Sequence, residues 1–147
     1  MWEPEMGPTR TILFLCPHNA AKSVLAAAYF DTMAIERGLP CRADAAGTEP
    51  DEQPSPAVVA ALQADGIDVA DHRPRHVTAE DLASAYRVIA LGCDVDSFVF
   101  SSERVDRWDD VPPASRDLAT SREAIRCHLD ALFDELAVER PHPATTP

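Results

Sequence analysis

The stretch TILFLCPHNAAKS, residues 11–23, decides the fold of this 147-residue chain. It opens as a continuous apolar run, which is typical of a strand buried on both faces in a parallel sheet. The run ends at Cys16, and residues 19–37 carry apolar side chains at helical spacing until Gly38 and Pro40 end the helix. Cys16 and the residues after it are therefore expected at the carboxyl edge of the sheet, where such sheets bind ligands.

Strands and helices alternate along the rest of the chain. The further predicted elements are strands at residues 41–46, 87–91 and either 98–100 or 105–108, and helices at residues 57–64, from Thr78 onward and at 121–139. This order predicts an α/β fold with three layers, in which helices cover both faces of a four-stranded, mostly parallel sheet. We predict one domain at residues 11–139, an irregular extension at 1–10 and a proline-rich tail at 140–147.

The charge of the chain excludes several classes of partner. Its 13 basic and 25 acidic residues give a net charge of −12, and no cluster of Lys and Arg is present. Nucleic acids and anionic membranes both bind positive surfaces, so we expect neither as a partner. The acidic start and the lack of an apolar run of about 18 residues predict a soluble, cytoplasmic protein.

Four cysteines, Cys16, Cys41, Cys93 and Cys127, are scattered without a Cys-x-x-Cys pair. This spacing predicts neither a disulfide framework nor a metal site, and no bound cofactor is expected. Cys16 stands out because it precedes a helix, whose free N–H groups and dipole stabilise a thiolate and an oxyanion alike. The same loop thus predicts a nucleophile and its anion site.

The segment around Cys16 resembles the loop of the low-molecular-weight protein tyrosine phosphatase superfamily, which includes thioredoxin- and mycothiol-coupled arsenate reductases. The family pattern is an apolar strand, then Cys-x5-Arg-Ser, then a helix. Further stretches similar to family motifs are DAAGT at 44–48, ADGID at 64–68 followed by His72, VIALGC at 88–93 and WDDVPP at 108–113. The resemblance implies a flavodoxin-like fold over roughly residues 11–139.

The resemblance also implies roles for individual residues. Cys16 matches the nucleophile, Ser23 the hydroxyl that steadies the thiolate, and Asn19 the asparagine whose left-handed backbone shapes the loop. The implied oxyanion-binding residues are Pro17, His18, Asn19, Ala20, Ala21, Lys22 and Ser23. His18 would also add positive charge beside the thiolate near neutral pH.

Two positions depart from the family pattern. Lys22, the only lysine of the chain, replaces the loop arginine. It keeps the charge but brings a single point charge in place of a planar fork that binds two oxygens. The family's general acid aligns with Pro112 and Pro113, so that role falls to Asp109 or Asp110, and we place it on Asp110.

Together with these residues, the resemblance implies an enzyme that reduces arsenate to arsenite with Cys16. The reducing thiol, a co-substrate such as thioredoxin or mycothiol, would act directly or after Cys93 has resolved the intermediate. One alternative is a phosphatase that hydrolyses phosphomonoesters through a phosphocysteine. The other is a regulatory protein that binds oxyanions without turnover.

Overall fold

A computed structural model of the protein describes residues 9–92 and 105–139. Most of the predicted extension, the predicted tail, the candidate strand at 98–100 and Cys93 lie outside these residues. No helix in the described ranges is long and apolar enough to cross a membrane.

Within the described residues, four parallel strands form one sheet in the order β2-β1-β3-β4. Their bounds are Arg10–Cys16 for β1, Cys41–Gly47 for β2, Arg87–Ala90 for β3 and Val105–Arg107 for β4. The predicted four-stranded sheet is confirmed. Its fourth strand comes from the candidate predicted at residues 105–108. β1 begins at Arg10, one residue inside the predicted extension, because that residue pairs with Cys41 of β2.

In the part of the chain that the structure describes, four helices accompany the sheet: α1 at Lys22–Arg37, α2 at Pro56–Ala64, α3 at Ala79–Ser84 and α4 at Leu118–Glu139. Gly38 ends α1 in the left-handed conformation, as predicted. The predicted start of α1 at Asn19 is wrong by three residues. Asn19 has a φ of 50°, which an α-helix does not accommodate, so residues 17–21 form a separate loop.

Both faces of the sheet are covered, which confirms the three-layer prediction. Alternate residues of β1 point to opposite faces. Ile12 and Phe14 join the larger core cluster with α1 and α4, whereas Leu13 and Leu15 join a smaller cluster that includes Leu82 of α3.

Aromatic packing fixes α1 and α4 on the sheet. The fully buried ring of Phe14 has its centroid 5.7 Å from that of Phe30 in α1 and 5.9 Å from that of Trp108, just after β4. Phe30 in turn stacks on Phe133 of α4 at 4.7 Å. Phe14 therefore joins the central strand to the segment that follows β4.

Replacing Phe14 tests this central role. We expect Phe14→Ala to lower the free energy of unfolding by about 3–5 kcal/mol, because it leaves a cavity between the sheet and α1. Ile35→Ala is the control, since that side chain is 81% exposed and its loss should change stability by less than about 0.5 kcal/mol. Urea unfolding measures both values, and equal effects would contradict the packing described.

Candidate active site

Cys16 is the last residue of β1 and is only 3% exposed. Its thiol donates a hydrogen bond to Ser23 Oγ at 3.0 Å and accepts one from the Ser23 backbone N–H at 3.3 Å. These two contacts fold residues 17–22 into a closed loop around the sulfur.

The carbonyl groups of this loop are bonded to a neighbouring segment. Three of them accept hydrogen bonds from backbone N–H groups of residues 49–55: Pro17 from Glu49 at 2.7 Å, His18 from Asp51 at 3.0 Å and Ala20 from Ser55 at 2.9 Å. In contrast, the N–H groups of residues 18–22 donate to no acceptor in the described ranges. The loop therefore offers a set of donors to an oxyanion, and Pro17, which has no N–H, contributes only its shape.

The start of α1 adds to these donors because no side chain caps it. Ala21 occupies the N-cap position without a side-chain hydrogen bond, and the first turn of α1 holds no acidic residue. Ser55 and Thr78, by contrast, cap the shorter helices α2 and α3. An uncapped helix start with positive dipole charge favours a bound anion.

Asn19 holds the loop in its shape. It is fully buried, and its Nδ2 donates to Ser23 Oγ at 2.9 Å while its Oδ1 accepts from the Arg75 N–H at 3.0 Å. His72 Nε2 lies 3.1 Å from the Asn19 carbonyl oxygen, so this nitrogen carries the proton. Because Asn19 occupies a lone pair of Ser23, the hydroxyl proton is free to turn toward Cys16 when that thiol ionises.

Gly47, at the end of β2, lets the loop approach the sheet. A Cβ at this position would lie 2.7 Å from the Pro17 carbonyl oxygen and 3.0 Å from Asn19 Cβ. The first distance is shorter than Cβ contacts allow and the second is tight, so a larger residue would have to displace the loop backbone at Pro17. This contact explains the glycine of the DAAGT stretch.

Lys22 is one of the residues that line the cavity above the loop. Its Nζ donates to the Val111 carbonyl at 3.4 Å and lies 3.0 Å from the position of a Cβ on Gly92. An ammonium carries three protons, and this is its one protein acceptor in the described ranges. Lys22 therefore retains donors for an oxyanion.

The structure turns the side chain of His18 outward. Its Nδ1 lies 3.1 Å from the Glu49 carbonyl oxygen and 3.3 Å from Asp51 Oδ1. His18 lines the cavity, and its side chain is 57% exposed.

Asp110, the predicted general acid, is bound elsewhere. His128 Nε2 donates to its Oδ1 at 2.8 Å, and the His128 ring stacks on Trp108 at 4.6 Å. That hydrogen bond holds the pKa of the Asp110 carboxyl below its usual value, which disfavours the protonated form that an acid needs. The residues lining the cavity include neither Asp109 nor Asp110, so the structure does not bring the predicted acid to Cys16.

The other cysteines do not share the cavity with Cys16 in the described ranges. Cys41 begins β2 and so lies at the opposite edge of the sheet, whereas Cys127 is exposed on α4. The predicted resolving residue, Cys93, falls outside the described residues.

The cavity itself has a volume of about 740 Å³. Its lining includes buried and half-buried residues, which form its base: Cys16, Ala20, Ala21 and Lys22. The lining also includes residues 51–58 and 113–115, and among these the acidic Asp51 and Glu52 are exposed and mark the mouth of the cavity. No pattern in the sequence distinguishes these two residues, because an acidic loop between a strand and a helix is usually only solvated.

Residues 11–107 match the family model described as low molecular weight phosphotyrosine protein phosphatase. The chain belongs to this family. The predicted resemblance is therefore confirmed, and the loop at residues 16–23 is this phosphatase family member's candidate active site.

Individual relatives extend the comparison. A Halobacterium salinarum protein named "Putative arsenate reductase" is 26% identical over 127 residues, which cover 83% of this chain and 89% of the relative. The crystal structure of YfkJ from Bacillus subtilis has a TM-score of 0.81 at 21% identity and covers 92% of this chain and 99% of that one. A thioredoxin-dependent arsenate reductase from Corynebacterium glutamicum has a TM-score of 0.79 at 22% identity, with 91% and 65% covered. These structures share the fold of the family.

The close approach at Gly47 generates a test of the family loop. We expect Gly47→Ala to push Pro17 and Asn19 away from the sheet and to slow alkylation of Cys16 by iodoacetamide on the order of 10–100-fold. Mass spectrometry of the Cys16 peptide gives the rate, and Thr48→Ala at the next residue is the control. An unchanged rate in Gly47→Ala would show that the loop does not depend on this contact.

Proposed function

We propose that the protein is a thiol-dependent arsenate reductase. Cys16 attacks the arsenic of an arsenate ion held by the loop N–H groups and Lys22. One observation carries the proposal: the nucleophile stands in a loop of free donors, while Asp110 is bound to His128 away from the cavity.

The position of Asp110 distinguishes two reactions that use the same loop. A phosphomonoester releases an alkoxide or phenoxide, and a positioned acid that protonates it contributes about 10²–10⁴-fold to the rate. Arsenate releases a hydroxyl group, which leaves as water with a proton that the ion itself carries near neutral pH. The rate of arsenate reduction therefore falls less than the rate of ester hydrolysis when no carboxylic acid reaches the leaving group.

The reduction takes place in two steps. In the first, a bond forms between Cys16 Sγ and arsenic and water leaves, while arsenic remains As(V). In the second, another thiolate attacks Cys16 Sγ, and the electron pair of the sulfur–arsenic bond stays on arsenic, so that arsenite leaves as As(III) and a disulfide remains on Cys16. A further thiol reduces this disulfide.

The second thiol comes from an external co-substrate or from Cys93. The relatives named arsenate reductases in Halobacterium salinarum and Corynebacterium glutamicum support the choice of reaction, and the latter is thioredoxin-dependent.

Phosphomonoester hydrolysis is the second candidate. The match to the phosphatase family favours it, because a phosphocysteine on Cys16 would use the same loop. Lys22 weighs against it, since phosphoryl transfer relies on preorganised charge around three equatorial oxygens, which the arginine fork supplies better.

An assay of the purified protein tests the proposal. With NADPH, arsenate and either thioredoxin with its reductase or a mycothiol-based system, we expect arsenate-dependent oxidation of NADPH. Cys16→Ser should reduce it to background, because it removes the nucleophile. Cys127→Ser, which changes an exposed thiol outside the cavity, should retain the full rate.

Three results would contradict the proposal or favour one of the alternatives. Absence of arsenate-dependent oxidation in both systems would contradict it. Rapid hydrolysis of an aryl phosphate that Cys16→Ser abolishes would favour the phosphatase. Binding of arsenate or phosphate without either reaction would favour the regulatory alternative.

A further inference from the structure

The cavity above Cys16 is much larger than the proposed substrate. An arsenate ion, one arsenic with four oxygens, fills only a small part of about 740 Å³, a volume typical of sites for larger organic ligands. The donors for the oxyanion all lie at the base. The remaining space therefore fits a second molecule that approaches Cys16 from the open side.

The mouth of the cavity has the opposite charge to its base. Lys22 and the loop N–H groups supply positive charge near the buried Cys16, whereas the lining residues Asp51 and Glu52 are exposed. His18 offsets part of the first carboxylate, because its Nδ1 lies 3.3 Å from Asp51 Oδ1. Glu52 has no cationic partner in the parts of the chain that the structure describes.

The segment with these carboxylates is tied directly to the nucleophile loop. The Asp51 N–H donates to the His18 carbonyl at 3.0 Å, and the Ser55 N–H donates to that of Ala20 at 2.9 Å. The backbone that carries the two carboxylates is thus bonded to the loop that follows Cys16. The lining of the cavity is mainly apolar and includes small side chains such as Ala20, Pro54 and Ala57, and a charge acts more strongly beside such a surface than in open water.

We propose that the reducing co-substrate is a low-molecular-weight thiol that carries a positively charged group, with this group beside Asp51 and Glu52 and its sulfur over Cys16. This inference rests on the proposed function and specifies its reductant. The thiolate of the co-substrate attacks Cys16 Sγ of the arsenic adduct, the sulfur–arsenic bond breaks, and arsenite leaves with its electron pair. A second molecule of the same thiol then attacks the mixed disulfide, so two thiols are oxidised for each arsenate reduced.

Three small thiols of different charge test the proposal in the arsenate assay. They are cysteamine, which is cationic, 2-mercaptoethanol, which is neutral, and 3-mercaptopropionate, which is anionic. The double variant Asp51→Asn/Glu52→Gln removes the charge at the mouth, and each thiol is compared between variant and wild type, so that its intrinsic reactivity cancels. We expect the variant to slow reduction by cysteamine by a factor of about 3–10, to speed it for 3-mercaptopropionate and to leave 2-mercaptoethanol nearly unchanged.

A second measurement is independent of arsenate. Cationic 2-(trimethylammonium)ethyl and anionic 2-sulfonatoethyl methanethiosulfonate both modify thiols, and mass spectrometry reports the rate at Cys16. We expect the ratio of the cationic to the anionic rate to fall by a factor of about 3–10 in the double variant. Glu36→Gln/Asp134→Asn is the matched control, because it removes the same charge from exposed helix positions outside the cavity and should leave the ratio unchanged.

The outcomes separate this proposal from the function on which it rests. If arsenate is reduced but neither the thiol rates nor the reagent ratio depends on the two carboxylates, this proposal is wrong and the proposed function stands. The same conclusion follows if only a redox protein, and no small thiol, reduces the enzyme. If no thiol supports arsenate reduction, the proposed function fails, and the reagent ratio still decides whether the cavity selects cations.

Discussion

The left-handed backbone of Asn19 is the constraint on which the candidate site depends. A non-glycine residue with a φ of 50° is unfavourable by itself, and a buried one persists only where its surroundings hold it. Here three groups of Asn19 are hydrogen-bonded. Its Nδ2 binds Ser23, its Oδ1 binds the Arg75 N–H, and its carbonyl oxygen binds His72. The left-handed turn at Asn19 lets carbonyl groups of the loop bond to the segment before α2. The N–H groups of the loop remain available to a ligand.

The same constraint explains how an acidic chain presents the donors of the proposed anion site. With a net charge of −12, the protein as a whole repels oxyanions, so attraction has to be local. The loop supplies it from backbone dipoles, the uncapped start of α1 and the only lysine of the sequence. Because Cys16 and Ser23 close this loop, the donors and the nucleophile move as one unit. A change that displaces Asn19 therefore affects anion binding and thiol reactivity together.

The sequence predicted the parts of this arrangement that depend on neighbouring residues. The apolar run of β1, the capped start of α3 at Thr78 and the stop at Gly38 are local signals, and the structure confirms them. The start of α1 was predicted three residues early, because helical spacing of apolar side chains does not reveal a positive φ. Contacts between residues distant in sequence gave no local signal, and among these are His72 on Asn19 and Gly47 beneath Pro17. The hydrogen bond between Asp110 and His128 of α4 is a further contact of this kind.

The central claim is that the loop after Cys16 binds an oxyanion with the help of Lys22. Protection of Cys16 from iodoacetamide by increasing arsenate measures that binding without requiring turnover. We predict saturable protection in the wild type, a dissociation constant about tenfold or more higher in Lys22→Met, and near-normal binding in Lys22→Arg, because a charged hydrogen bond is lost only in the former. Arsenate that leaves the alkylation rate of Cys16 unchanged at every concentration would contradict the account.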